Sequence, residues 1–136
     1  MRTNQAIPSS GQKFPVHVSL LARMCIAMAY LLSRLKPEYI ARFLHLMRKG
    51  ARPASYPEAA AARASVISNS IYCAGEGCLP RSLATVLVCR AKGSWPTWVV
   101  GARLEPFLAH AWVEAEGIPV EENFASGFYA ALLTVT

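Results

Sequence analysis

Two neighbouring segments with different apolar spacing constrain the fold of this chain most. After Cys78 the apolar residues recur at the spacing of one helix face and stop at Lys92-Gly93; they are Leu79, Leu83, Val86 and Leu87. Residues 107–114 instead alternate between two faces, one with Phe107, Ala109, Ala111 and Val113, the other with Leu108, His110, Trp112 and Glu114. A helix followed by alternating strands predicts an α+β fold.

Cys78 stands at the predicted start of that helix. Gly75 and Gly77 allow the backbone to turn sharply into the helix, and Pro80 is tolerated because the first turn needs no intrahelical N–H bond. The partial positive charge of a helix N-terminus favours thiolate over thiol, so the position predicts a lowered pKa for Cys78. The alternative interpretation is a small buried side chain in the core.

The alternating segment is predicted to be the first strand of a hairpin. Glu116-Gly117 signals a turn, and residues 118–122 then form a short returning strand. Pro119 cannot donate a ladder hydrogen bond, so this second strand is expected at the edge of the sheet.

The hairpin register decides which carboxylate meets His110. A three-residue loop, 115–117, with glycine in the left-handed position pairs Glu114 with Ile118 and places Glu122 directly opposite His110. A two-residue loop would place Glu122 on the wrong face of the sheet. We expect the three-residue loop, and the contact between Glu122 and His110 depends on it.

These residues are the parts of a cysteine nucleophile. His110 would act as the base toward Cys78 through one ring nitrogen, while a carboxylate fixes its tautomer through the other. The chain contains no aspartate, so an acidic third member must be glutamate. Glu122 is the best placed, and Glu114 and Asn123 are the competing candidates.

Four blocks in this order resemble the lasso peptide biosynthesis B protein, most closely its stand-alone leader peptidase form. They are Cys-Ala-Gly-Glu-Gly-Cys-Leu-Pro-Arg-Ser-Leu-Ala-Thr at 73–85, Trp-Pro-Thr-Trp at 95–98, Glu-Pro-Phe-Leu-Ala-His-Ala-Trp-Val-Glu at 105–114 and Gly-Ile-Pro-Val-Glu-Glu at 117–122. The resemblance covers roughly residues 55–123. It implies a transglutaminase-like, papain-related core, in which a nucleophile helix packs on a small antiparallel sheet after N-terminal helices.

The resemblance also implies roles for the candidate residues. Cys78 matches the nucleophile of the family and His110 its general base, whereas Glu122 falls where many members have aspartate. Such a protein is a cysteine peptidase that removes the leader from a ribosomally made lasso peptide precursor, commonly at a site marked by a threonine at the penultimate leader position. The freed core amine is then closed into a macrolactam by an ATP-dependent lasso cyclase. The alternative is a catalytically silent scaffold that presents the precursor to the cyclase.

The implied partners are the precursor peptide, a separate leader-recognition protein and the cyclase, without a cofactor. A metal site is not expected, because the separations of Cys25, Cys73, Cys78 and Cys89 include no close ligand pair of the zinc kind. Cys25 and Cys89 lie in apolar helical stretches and are predicted to be core residues.

The N-terminal half is basic and helical. Residues 1–68 carry ten Lys and Arg against two Glu, and residues 69–136 carry four against six, within a net charge of +6. We expect a flexible segment at 1–15, then a single domain at 16–136 whose helical region, 16–70, contains helices at 16–35, 38–50 and 58–70.

This helical region has two interpretations. Its arginines are either solvated on an ordinary amphipathic layer, or they form a docking surface for the recognition protein, the cyclase or the inner membrane leaflet, which would make the association with the membrane peripheral. No nucleic-acid module is recognisable. No signal-peptide cleavage site is evident, which predicts a cytoplasmic protein.

Overall fold

The computed structural model describes residues 14–70, 73, 75, 77–104, 107–124 and 128–136. Of the segment expected to be flexible, 1–15, all but Phe14 and Pro15 lie outside the described residues. Within the described part the helices are α1 (Val16–Leu32), α2 (Pro37–Met47), α3 (Tyr56–Asn69) and α4 (Cys78–Ala91). The strands are β1 (Arg52–Pro53), β2 (Ser94–Trp95), β3 (Thr97–Leu104), β4 (Phe107–Ala115), β5 (Ile118–Pro119) and β6 (Ala130–Val135). The predicted α+β class, with N-terminal helices before a small antiparallel sheet, is confirmed.

The first three helices lie close to their predicted positions, with ends that differ by a few residues. Helix α1 ends before Pro37, and Pro37 is the first residue of α2. At this position the missing N–H of proline has no intrahelical partner to lose. Helix α3 starts two residues earlier than predicted because Ser55 and Glu58 form a capping box: the Ser55 Oγ accepts from the Glu58 N–H, and the Glu58 carboxylate accepts from the Ser55 N–H.

Four strands form an antiparallel sheet in the order β5-β4-β3-β6, and β1 and β2 form a separate parallel pair. Trp98 of β3 is fully buried and its Nε1 donates to the Ser82 Oγ of α4 at 3.1 Å, so this face of the sheet packs against α4. Trp98 pairs with Val113, which therefore shares that face. The opposite face carries His110 and Trp112, in agreement with the predicted alternation.

Helix α4 forms the centre of the molecule. It contacts α1 and α3 on one side and β4 on the other, and its residues from Pro80 to Cys89 are all buried. Cys25 and Cys89 lie in this core, as predicted. No helix among the described residues is long and apolar enough to cross a membrane.

The predicted register of the β4–β5 hairpin is wrong. Ala115 pairs with Ile118, so the loop has two residues, not three. Glu116 and Gly117 both adopt positive φ, 56° and 79°, which is the two-residue turn that matches the twist of a hairpin. The prediction failed because it placed only the glycine in the left-handed region, whereas Glu116 adopts it too. The second strand is also shorter than predicted, since β5 ends at Pro119.

Candidate active site

Cys78 is the first residue of α4, at the helix start that the sequence predicts, and Gly77 occupies the cap position. The thiol is partly buried. Arg81, one turn further along α4, is buried and donates from Nη1 to the carbonyl oxygens of Cys73 at 3.0 Å and Gly75 at 3.3 Å. The guanidinium thus binds two backbone carbonyls that precede the helix and keeps a positive charge near the thiol.

The thiol of Cys78 lies against the edge of β4 beyond the end of β5. The Val120 N–H donates to the Val113 carbonyl at 2.9 Å, which shows that Val113 turns its backbone polar groups toward β5. Backbone polar groups alternate along a strand, so Ala111 presents its own N–H at the same edge. The Cys78 sulfur accepts a hydrogen bond from the backbone of Ala111 there. The shortness of β5 leaves this position open.

His110, the next residue along the strand, connects Cys78 to Glu122. Its Nε2 lies 2.8 Å from the Glu122 Oε1, which leaves Nδ1 for the hydrogen bond that the imidazole forms with Cys78. The structure therefore brings together the three side chains proposed from the sequence. The side chain of His110 is 18% exposed, so the imidazole ring is largely shielded from water.

The contact between Glu122 and His110 forms although the predicted register is wrong. After β5 the chain turns at Val120 and Glu121, and Glu121 has a φ of 54°. Tyr56 holds this turn: its hydroxyl donates to the Glu121 carboxylate at 3.1 Å and accepts from the Glu121 N–H at 2.9 Å. Because the turn ends the strand, Glu122 is released from the alternation that would have pointed it away from His110.

The two competing candidates for the third position lie elsewhere. Glu114 does share the His110 face, but its Oε2 accepts from the Nε1 of Trp112 at 2.9 Å. Asn123 is exposed. Of the three candidates, Glu122 is the one that contacts the imidazole.

Arg63, a residue that the sequence patterns do not single out, lies on α3 and binds the other oxygen of Glu122. Its Nη2 is 3.4 Å from the Glu122 Oε2, and the two side chains are only 6% and 8% exposed. Burial lowers the pKa of Arg63, and the charge of Glu122 offsets part of this effect. The signal in the sequence was a single arginine in an alanine-rich helix. If such a helix packs in the core, its guanidinium is buried and needs a charged partner.

The electrostatics favour a charged thiolate and imidazolium. Burial by itself raises the pKa of Cys78, but the hydrogen bonds from His110 and Ala111 and the positive charges of His110 and Arg81 outweigh it and hold the pKa below its usual value. For His110, burial lowers the pKa, but the hydrogen bonds with Cys78 and Glu122 and their negative charges raise it to about 9. Burial raises the pKa of the other three thiols, those of Cys25, Cys73 and Cys89.

Aromatic rings cover the imidazole on the face of the sheet away from α4. Trp112 and Tyr129 stack on His110 with ring centroids 5.8 Å and 5.5 Å away, and Phe124 meets it edge-on at 5.8 Å. Burial and the nearby charges of Cys78 and Glu122 raise the pKa of Tyr129, so its phenol stays neutral. These rings shield the ion pair between His110 and Cys78 from water, and a lower local dielectric strengthens that ion pair.

The family assignment rests on a match over most of the chain. A family model described as the transglutaminase-like superfamily matches residues 22–133. The chain belongs to this superfamily. No curated protein and no solved structure gives a significant match. Among the described residues, no group of three His, Cys, Asp or Glu side chains is arranged to hold a metal ion.

Gly101 is a position in β3 where this chain requires glycine. It pairs with His110 across the sheet, and a Cβ there would lie 2.7 Å from Cη2 of Trp112 and 2.9 Å from the carbonyl oxygen of Ala130. The absence of a side chain therefore gives Trp112 the space to stack on His110.

We expect Gly101→Ala to destabilise the protein by about 1–3 kcal/mol, because the methyl group overpacks this face of the sheet. Urea unfolding measures this. The loss of stability caused by Gly101→Ala should be smaller in a Trp112→Phe background, since phenylalanine lacks the crowded ring atoms. Some loss should remain, because the added methyl group still meets the Ala130 carbonyl oxygen. An equal cost in both backgrounds would contradict this role for Gly101.

Proposed function

We propose that this chain is a cysteine peptidase that removes the leader from a ribosomally synthesised lasso peptide precursor. The observation that carries the proposal is the thiol of Cys78 at a helix N-terminus, hydrogen-bonded to an imidazole whose other nitrogen binds the Glu122 carboxylate at 2.8 Å. Membership of the transglutaminase-like superfamily and the resemblance to lasso B proteins support it. We assign Cys78 as nucleophile, His110 as general base and acid, and Glu122 as the group that orients His110.

The reaction follows from these positions. The Cys78 thiolate attacks the scissile carbonyl carbon, and the imidazolium of His110 gives its proton to the departing amine of the core peptide as the C–N bond breaks. Neutral His110 then takes a proton from the water molecule whose oxygen attacks the thioester carbon. The C–S bond breaks, the leader leaves as its carboxylic acid, and the thiolate of Cys78 and the imidazolium of His110 are restored. Glu122 keeps the ring oriented through both steps.

The developing oxyanion needs hydrogen-bond donors. As the first residue of α4, Cys78 has a backbone N–H with no acceptor inside its own helix, and the helix N-terminus adds partial positive charge. We assign this N–H as one oxyanion donor.

The proposal includes the partners implied by the resemblance. A separate leader-recognition protein delivers the precursor, and the amine that cleavage frees becomes the substrate of an ATP-dependent lasso cyclase. A cytoplasmic setting is part of the proposal, because a reducing compartment keeps the four free cysteines as thiols.

A reconstituted cleavage assay tests the function. The precursor is incubated with this chain and the leader-recognition protein, and mass spectrometry follows the products. We expect the core peptide with a free amine and the separate leader. If the precursor stays intact although all the proteins are folded, the peptidase function is wrong; retained binding of the precursor would then favour the silent scaffold.

A further inference from the structure

We propose that Arg63 is a positioning residue of this site, which acts through Glu122 by holding its carboxylate turned toward His110. The inference rests on the proposed function for its catalytic meaning, but its test does not require cleavage. Arg63 lies on α3, outside the segments that supply Cys78, His110 and Glu122.

The geometry gives each oxygen of Glu122 a separate partner. Oε1 lies 2.8 Å from the Nε2 of His110, and Oε2 lies 3.4 Å from the Nη2 of Arg63. A glutamate side chain has three rotatable bonds, and the last is broad in its preference. An anchor on one oxygen fixes that rotation and thereby aims the other oxygen at the imidazole.

The charges around Glu122 alternate along a line from α3 to α4. Arg63 is positive, Glu122 negative, His110 positive when protonated and Cys78 negative as thiolate. The titratable and charged groups that face this line from the packed elements are Arg63 from α3, Cys78 and Arg81 from α4, His110 from β4, Glu121 beside Glu122, and Tyr129 before β6.

Removal of the guanidinium should therefore affect the thiol, which Arg63 does not touch. Without the contact on Oε2, the Glu122 carboxylate is free to rotate away from the Nε2 of His110. Once turned away, Glu122 no longer favours the imidazolium, and a neutral His110 no longer favours the thiolate of Cys78. The thiolate should then form only at higher pH.

The test measures the rate of Cys78 alkylation by iodoacetamide from about pH 4 to about pH 10, with peptide mass spectrometry to identify the modified cysteine. The midpoint of the rise in alkylation rate with pH reports the pKa of the Cys78 thiol. In the wild-type protein this midpoint should lie below the ordinary thiol value of 9.0. In Arg63→Met the midpoint should move up by about one pH unit or more. Arg63→Lys keeps the positive charge but lacks the planar guanidinium, so its midpoint should move up by less.

A second pair of variants tests whether Arg63 acts through Glu122. If it does, Arg63→Met should produce little further shift in a Glu122→Gln background, because the carboxylate that it positions is already gone. Arg90→Met is the matched control. Arg90 is a partly buried arginine that donates to the carbonyls of Met47 and Lys49, away from this site. The midpoint for Cys78 alkylation in this variant should stay at the wild-type value.

A folded Arg63→Met variant with the wild-type midpoint would overturn the proposal, as would a full additional shift on the Glu122→Gln background. Circular dichroism and a thermal melt establish folding, and Arg63→Gln replaces the methionine variant if that one does not fold. The outcome is separable from the proposed function. A protein that shows the shift but cleaves no precursor keeps Arg63 as the positioning residue and loses the peptidase.

Discussion

Replacement of Cys78 by alanine should abolish leader removal while the protein stays folded. The thiol is the only atom proposed to attack the scissile carbonyl, so the reaction cannot form a thioester without it. The side chain is only partly buried at the first position of α4, and alanine is compatible with a helix. Mass spectrometry of the precursor after incubation with the variant and the recognition protein measures the loss, and circular dichroism verifies the fold.

Cys25→Ala is the control for this variant. Cys25 is a buried thiol of α1, and burial raises its pKa to about 11, so it remains a protonated core side chain. Cleavage by the Cys25 variant should continue at close to the wild-type rate. Persistent cleavage by the Cys78 variant would exclude Cys78 as the nucleophile and would require a different catalytic group.

The second large effect is expected from His110→Ala. Loss of a general acid and base costs typically about 10²–10⁴-fold in rate. The Cys78 thiol also loses the hydrogen bond and the positive charge that hold its pKa down, and burial, which raises the pKa, then dominates. The variant should therefore show both slow cleavage and slow alkylation of Cys78 near neutral pH, two measurements that do not depend on each other.

His45→Ala provides the comparison, since His45 is an exposed histidine on α2, away from the site. It should leave cleavage and alkylation unchanged. A His110 variant that cleaves slowly but alkylates at the wild-type rate would contradict the ion pair between His110 and Cys78, although it would leave a role for His110 in proton transfer to the leaving amine.

Local sequence predicted the elements that carry the site because their causes are local. Glycine before Cys78 and the apolar spacing after it determine where α4 begins, and the alternation of residues 107–114 determines which face of β4 carries His110. These features depend on neighbours within a few positions, so they can be recognised without the fold.

The contact between His110 and Glu122 shows how a correct pair can be predicted for the wrong reason. The predicted contact required a strand that continued to Glu122 in the register of a three-residue loop. In the structure the two-residue loop would have misplaced that carboxylate, but the strand ends and Glu121 turns the chain back. The turn is stabilised by Tyr56, which lies 65 residues earlier, so no local pattern could have indicated it.

Arg63 and Gly101 depend on tertiary structure in the same way. Arg63 is unremarkable in its own helix and gains its role from a carboxylate 59 residues later. Gly101 is required because a tryptophan ring from the paired strand and a carbonyl from β6 occupy the space of a Cβ.

The sequence by itself determined that this chain is an α+β protein with a thiol at the start of a helix and an imidazole on a strand, because helix starts and strand faces follow from local spacing. Only the tertiary structure decided which carboxylate contacts the imidazole, which guanidinium binds that carboxylate and which glycine leaves space for the aromatic rings that cover it. Those choices depend on contacts between residues far apart in the chain, and packing of α3 and α4 against β4 is what brings them together.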